Sequence, residues 1–179
     1  MILAFYEHPE GVETESGNRV VYDLERDEAS FGAARVEGRA LRWELAAEPE
    51  AGARLMAEVE LDLGSEWIAR CDRVDFPPGG VAYTHTHPGP GIRCLLFGLI
   101  RIETGSETRE YGPLEPWFEN GPEPVFAAAS ETEPTAFVRV MLLPREWEGK
   151  RTIRYVDPAD EGKPKLQRPT VFFDRRLEL

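Results

Sequence analysis

Apolar and polar residues alternate in many short runs along this chain, and this pattern limits the fold more than any other feature of the sequence. Alternation with a period of two places successive side chains on opposite faces of a β-strand. Clusters of Gly and Pro, as at residues 77–80 and 88–91, separate the runs and suit tight reversals of the chain. The sequence therefore predicts an all-β barrel or sandwich with little helix.

The predicted strands extend over most of the chain, without an internal repeat or a good domain boundary. A length of 179 residues is typical of one domain. We expect residues 1–66 to supply N-terminal strands for the barrel wall or for dimer contacts, residues 67–144 to form the core, and residues 145–179 to pack on the barrel. Residues 157–168 are the predicted irregular segment, which crosses to a last strand or reaches a second subunit. The predicted strands are residues 19–24, 40–46, 55–61, 67–74, 81–87, 92–98, 99–104, 107–111, 124–129, 135–143, 151–156 and 170–174.

The chain carries 33 Asp and Glu residues against 21 Lys and Arg residues, a formal net charge of −12. Nucleic acids and anionic membranes are bound mainly through Lys and Arg side chains that neutralise phosphate groups. We therefore expect neither a nucleic acid nor a membrane as a partner. The start of the sequence has no basic region followed by a long apolar stretch, which predicts a cytoplasmic protein.

Histidine occurs only three times, at positions 8, 85 and 87. His85 and His87 are one residue apart on a predicted strand, so their side chains share a face and both imidazoles can reach one metal ion at ~2 Å. His8 precedes a Pro near a terminus that we predict to be mobile, which argues against it as a ligand. The spacing therefore predicts a metal site at His85 and His87.

No other catalytic system stands out in the sequence. Cys71 and Cys94 have no second pair of cysteines near them, and their separation matches neither a Cys-x-x-Cys redox motif nor a zinc site. We predict two reduced, buried thiols. The chain also lacks a Gly-x-Ser-x-Gly elbow, a P-loop and a Gly-x-Gly-x-x-Gly motif.

The stretch from Gly79 to Gly98 resembles the first sequence motif of the cupin superfamily. That motif has a Gly, five residues, His-x-His, three or four residues, a Glu, six residues and a Gly. Gly79, His85, His87 and Gly98 fall in this frame, whereas Gly91 occupies the position of the Glu. The first motif is therefore present with one of its three metal ligands replaced.

The resemblance covers residues 67–144 and implies a single-domain cupin-type β-barrel, a jelly roll, with additional N-terminal strands. Metal-binding cupins use iron, manganese, zinc or nickel, and a second motif supplies a further histidine beside a Pro-x-Gly turn. Pro124, Val125 or Phe126 stands at that place here. Glu119, in the preceding turn, either completes a set of two histidines and one carboxylate or is an exposed turn carboxylate.

Strand parity places further residues beside the two histidines. Tyr83 shares their face, and Arg93 follows on the same face across the Gly-Pro turn. Arg93 either pairs with an internal carboxylate such as Glu119 or binds an anionic ligand, and a register slip of one residue would send it to the surface. Aromatic side chains on this face either fill the core or surround a ligand, and they are Tyr83, Phe97, Trp117 and Phe126.

The resemblance implies a metal-dependent enzyme that acts on a small organic molecule inside the barrel, with a dioxygenase of the non-haem iron type as the first expectation. Isomerases and decarboxylases also occur among cupins, so these reactions stay open. In this scheme Arg93 holds a substrate carboxylate or enolate, Tyr83 donates a hydrogen bond or a proton, and Trp117 packs on the apolar part. The alternative is a non-catalytic small-molecule-binding cupin with weak or no metal binding. The extra N-terminal strands favour a homodimer, as in other cupins.

Overall fold

The computed structural model, which describes residues 1–179, contains seventeen β-strands and two short 3-10 helices, and it confirms the all-β prediction. Neither helix is long and apolar enough to span a membrane. The first strands are β1 (Ile2–His8), β2 (Val12–Thr14), β3 (Arg19–Asp23), β4 (Glu28–Phe31), β5 (Ala34–Val36), β6 (Ala40–Ala46) and β7 (Leu55–Glu58). Residues 67–144 form β8 (Trp67–Phe76), β9 (Val81–Thr86), β10 (Gly91–Phe97), β11 (Ile100–Thr104), β12 (Glu107–Tyr111), β13 (Pro116–Glu119), β14 (Val125–Ala129) and β15 (Thr135–Pro144). The chain ends with a 3-10 helix at Arg145–Trp147, β16 (Arg154–Tyr155), a 3-10 helix at Pro158–Gly162 and β17 (Arg168–Arg176).

The strands form three five-stranded antiparallel sheets, which stack as layers, and a small β2-β5 ribbon. The outer sheet has the order β4-β3-β6-β1-β7, the central sheet β13-β10-β15-β8-β17, and the front sheet β12-β11-β14-β9-β16. The predicted barrel is not closed, because the edge strands of the central sheet do not pair with those of the front sheet, and the cupin-type jelly roll stays a prediction. The interior is instead enclosed between two facing sheets, as in a β-sandwich.

The central sheet is buried on both faces. One hydrophobic cluster joins Val138 and Val140 of β15 to Phe5 and Trp43 of the outer sheet, and the Trp43 indole N–H donates to the Ile92 carbonyl at 3.0 Å. A second cluster joins the opposite face of the central sheet to the front sheet. Strands covered on both sides are apolar along most of their length, which explains why nine of the ten residues of β15 are buried.

The N-terminus is an ordered part of the core, and the prediction that it is mobile is wrong. β1 lies between β6 and β7 in the outer sheet, and Ala4 and Phe5 have no exposed surface. Apolar and polar residues do not alternate in residues 2–6, because both faces of this strand are covered. A search for period-two alternation therefore does not predict the strand. Residues 1–66 thus add a third layer to the wall, and the homodimer stays a prediction.

The C-terminal segment links the two sheets that enclose the interior. β16 pairs with β9 at one edge of the front sheet, and β17 pairs with β8 at one edge of the central sheet. Between them, the irregular segment crosses from one sheet to the other through the second 3-10 helix. The end of the chain is fixed because the Asn18 side chain exchanges hydrogen bonds of 2.6 and 3.0 Å with the backbone of Glu178.

Gly91 provides a test of how closely the strands of the central sheet approach one another. A Cβ atom at this position would lie 2.5 Å from the Val140 carbonyl oxygen, 3.0 Å from Met141 Cα and 3.1 Å from Arg93 Nη1. We therefore expect Gly91→Ala to lower the free energy of unfolding by about 1–3 kcal/mol, as overpacking does.

The matched control is Gly162→Ala, because a Cβ atom there meets nothing within 4 Å. This variant should stay within about 0.5 kcal/mol of the wild type. Urea denaturation of the three proteins makes the comparison, and equal midpoints for both variants would contradict the close approach at Gly91.

Candidate functional site

A cavity of about 540 Å³ lies between the central and front sheets and opens beside the edge strands β16 and β17. Along β8 the side chains that face it change from Arg70 and Asp72 to Val74 and Phe76, so one end is charged and the other apolar. Other apolar side chains of the wall are Ala82, Ile102, Trp117, Val125, Ala127 and Phe137. The other polar side chains deep in the cavity are His85, His87, Glu119 and Arg139.

His85 and His87 meet in the wall of this cavity. They are 4% and 3% exposed, and their Nε2 atoms are 3.2 Å apart. Backbone contacts fix both residues, because the His87 amide donates to the Gly121 carbonyl at 2.7 Å and His85 Nδ1 lies 2.7 Å from the Tyr83 carbonyl oxygen. A carbonyl oxygen can only accept, so His85 Nδ1 carries the proton and His85 Nε2 presents a lone pair to the cavity.

Burial keeps both imidazoles neutral near pH 7. Burial lowers the pKa of His85, and the Tyr83 carbonyl opposes this effect only in part. Burial also holds the pKa of His87 well below its usual range, and the positive charges of Arg139 and Arg93 lower it further. Arg139 Nη1 lies 3.3 Å from His87 Nε2 and can only donate, so His87 Nε2 also presents a lone pair.

Arg93 is paired inside the protein and does not line the cavity. It has no exposed surface, Nη1 donates to the Gly91 carbonyl at 2.7 Å, and Nη2 lies 2.7 Å from Glu119 Oε2. Burial lowers the pKa of Arg93 to about 10, although Glu119 opposes the effect, so the guanidinium is charged near pH 7. The sequence left an internal carboxylate and an anionic ligand open as partners of Arg93, and the structure pairs it with the carboxylate of Glu119.

Glu119 is a largely buried member of the site and not an exposed turn carboxylate. Its side chain is 10% exposed, and Oε1 accepts a hydrogen bond of 2.9 Å from the Trp117 indole N–H. Oε2, which Arg93 holds, lies 4.0 Å from His87 Nε2. No group of three or more His, Cys, Asp or Glu side chains is arranged to hold a metal ion. The protein thus offers two converging nitrogen atoms with a carboxylate close by.

The structure places Tyr83 and Phe97 away from the cavity, and in both cases a β-bulge reverses the predicted parity. The pairing of β9 with β14 shifts between Ala82 and His85, so these two residues face inward together. Tyr83 points away, with Lys163 Nζ 4.7 Å from its ring centroid. A similar shift precedes Phe97, which is 40% exposed and does not line the cavity.

Phe126 also lies outside the cavity, whereas Trp117 lines it. Val125 and Ala127 face inward, so alternation turns Phe126 outward, and Arg101 lies 5.8 Å from the centroid of its ring. Trp117 is 3% exposed and packs edge-on against Phe137, with ring centroids 5.4 Å apart. Of the four predicted aromatic residues, only Trp117 lies in the cavity wall.

Two ion pairs in the cavity wall were not predicted from the sequence. Arg139 Nε and Nη2 donate to the two carboxylate oxygens of Asp72 at 2.6 and 3.0 Å. Arg70 binds both oxygens of Asp174 at 2.6 Å and donates to the Lys150 carbonyl at 2.6 Å, which fixes the segment after β15 over the cavity. The available signal was a charged residue at an inward position of a strand that is otherwise apolar.

Neither cysteine takes part in the site. Cys71 and Cys94 are buried and free, and both belong to the cluster between the central and outer sheets. Burial raises the pKa of Cys94 to about 12 and that of Cys71 well above its usual value. A thiolate nucleophile is therefore not available near pH 7.

Comparison with known proteins gives little guidance for this chain. No family model matches it, and no curated protein matches it. A similar solved structure is that of the polyketide cyclase RemF from Streptomyces resistomycificus, with 19% sequence identity and a TM-score of 0.41. The match covers 52% of this chain and 62% of the cyclase. A functional proposal therefore depends on the geometry of the cavity and on the sequence motif around His85 and His87.

The ion pair of Arg93 and Glu119 makes a prediction about stability. Glu119→Gln would leave a completely buried guanidinium without its counter-charge. We expect this variant to lose about 3–5 kcal/mol of unfolding free energy, and the double variant Glu119→Gln/Arg93→Met to regain most of that loss.

The matched control is Glu107→Gln, because Glu107 and its partner Arg109 are largely exposed. Its loss should stay below about 1 kcal/mol. If denaturant titration gave Glu119→Gln and Glu107→Gln the same small loss, Glu119 would not be what compensates the charge of Arg93.

Proposed function

We propose that this protein is a cupin-like metalloenzyme that acts on a small organic molecule in the cavity between the central and front sheets. The observation that carries the proposal is the pair of Nε2 atoms of His85 and His87, which lie 3.2 Å apart in the cavity wall. With the proton of each ring on Nδ1, both atoms present lone pairs and do not hydrogen-bond to each other. A cation placed between them would turn this repulsion into attraction.

A divalent metal ion fits the two nitrogen atoms. Zinc and similar ions bind imidazole nitrogen at ~2.0–2.1 Å, and two ligands of one ion can therefore be about as far apart as these atoms are. The backbone partner of His85 Nδ1 acts as in known metal sites, where a carbonyl on the second ring nitrogen fixes the tautomer and the ring orientation. Neutral imidazoles are the form that binds metal.

Glu119 is the proposed third ligand. It is the Cα partner of Gly91 across β10 and β13, and Gly91 stands where the first cupin motif has its Glu. A longer side chain at Gly91 would meet the Val140 carbonyl oxygen, so the neighbouring strand supplies the carboxylate on the same face. Two histidines and one carboxylate leave positions open for a substrate or for oxygen.

The bound ion would supply Lewis-acid chemistry or oxygen activation, and the protein would supply binding and orientation. Iron, manganese, zinc and nickel all suit such a ligand set, and a dioxygenase is the reaction class that we place first. Trp117 and Phe137 offer an apolar surface for the substrate, while the segment held by Arg70 covers one side of the cavity. Isomerase and decarboxylase chemistry would use the same site.

The second candidate is a binding protein without turnover. It is favoured by the contact of Arg139 Nη1 with His87 Nε2, because this N–H occupies a lone pair that a metal would need. The engagement of Glu119 with Arg93 points in the same direction. The two candidates differ in whether the histidine pair takes up a metal ion.

Metal analysis separates the two candidates. We expect protein purified without an affinity tag to contain, or to take up, close to one divalent metal ion per chain, as measured by elemental mass spectrometry. The double variant His85→Ala/His87→Ala should lose this metal, whereas His8→Ala should retain it, because His8 lies in the outer sheet.

Wild-type protein that binds no metal after exposure to iron, manganese, zinc and nickel would overturn the enzyme proposal and favour a metal-free binding protein. Metal that persists in the double variant would show that another part of the chain binds it.

A further inference from the structure

We propose that Arg139 anchors the carboxylate of a ligand whose apolar, ring-containing body lies against Trp117 and Phe137. The inference deepens the proposed function, because it names the class of molecule that the same cavity would bind. It assigns to Arg139 the role that the sequence analysis gave to Arg93. Arg93 has no exposed surface and does not line the cavity, whereas Arg139 does.

The hydrogen bonds of Arg139 leave part of its guanidinium unused. A guanidinium has five N–H donors. Arg139 uses two of them on Asp72 and one on His87 Nε2, so two donors have no acceptor in the protein. Arg70 in the same cavity uses four, on Asp174 and on the carbonyls of Lys150 and Trp147.

Unused donors at this depth favour a ligand with an oxygen acceptor. Arg139 is 6% exposed and lines the cavity, so its donors without a protein acceptor are available to an acceptor on a ligand. Asp72 takes the two N–H groups on one edge of the guanidinium, and this contact holds its plane fixed. A fixed, planar donor group suits the two oxygens of a carboxylate better than a single hydroxyl.

The charge around the cavity favours an anion, although the whole chain carries −12. The cations that line it are Arg70, Arg139, Lys150, Arg151 and Lys165, and the carboxylates are Asp72, Glu119 and Asp174. The five cations against three carboxylates leave an excess of two positive charges. Lys150 forms no ion pair and stands at the opening, where a positive charge attracts anions.

The apolar end of the cavity selects the rest of the ligand. Trp117 and Phe137 stand edge to face beside Val125 and Ile102, and these residues offer few polar partners to a sugar or a polyol. A volume of about 540 Å³ lies within the range of sites for ring-sized organic ligands, ~300–1,000 Å³. The combination of an apolar end and an arginine-bearing end fits an aromatic carboxylate.

Naphthoate and naphthamide are suitable probes, because they share a ring system and differ in the charge of one group. We expect isothermal titration calorimetry to show that wild-type protein binds naphthoate about 10-fold to 100-fold more tightly than naphthamide. The double variant Asp72→Asn/Arg139→Gln, which removes both charges together, should reduce this ratio to about one. Arg139→Lys keeps the charge and should give an intermediate ratio, and Arg101→Gln on the outer side of the front sheet should not change it.

The variant His85→Ala/His87→Ala separates this inference from the proposed metal centre. A preference for naphthoate that persists in this variant would support Arg139 as the anchor, whether or not the wild type binds metal. A preference that disappears there but survives in Asp72→Asn/Arg139→Gln would overturn the inference, because the metal would then hold the carboxylate. Wild-type protein that binds both probes equally, or neither of them, would overturn it as well.

Discussion

Buried charge on one face of the central sheet is the constraint on which the rest of this structure depends. Each guanidinium on that face has a carboxylate on a neighbouring strand, and removing one partner would leave an uncompensated charge away from water. Shifting a strand by one residue would turn its charges to the other face and separate the pairs. The pair Arg93–Glu119 therefore fixes the register of β10 against β13. The pairs Arg139–Asp72 and Arg70–Asp174 fix β15 and β17 against β8.

These pairs distinguish the cavity-facing side of the central sheet from its other face. Apolar side chains of similar volume would pack more simply, and a buried ion pair is often no more stabilising than such a replacement. The opposite face of the same sheet is filled by a hydrophobic cluster that contains Trp43, Val138 and Cys71. The outer sheet thus supplies the stability, and the charged face is free to bind a ligand.

Sequence reasoning succeeded for features that depend on period-two alternation and failed where alternation is interrupted. It predicted the all-β class and the convergence of His85 and His87, because both depend on local strand geometry. It misplaced Tyr83 and Phe97, since a β-bulge changes parity without leaving a clear sequence signal. It did not identify Arg139, because its partner Asp72 is distant in sequence. It also did not predict that the sheets have open edges, because the pairing of edge strands is a property of the whole fold.

His87 Nε2 is the atom at which the two proposed roles of the cavity meet. Its single lone pair faces both the His85 nitrogen and the Arg139 N–H, at 3.2 and 3.3 Å. A cation that took this lone pair would release the N–H, and Arg139 would then present three free donors to an anionic ligand. A carboxylate that accepted this N–H in place of His87 would likewise free the lone pair for a metal. If the metal increases the affinity of the protein for the carboxylate in this way, the carboxylate increases its affinity for the metal by the same factor, because thermodynamic linkage is reciprocal.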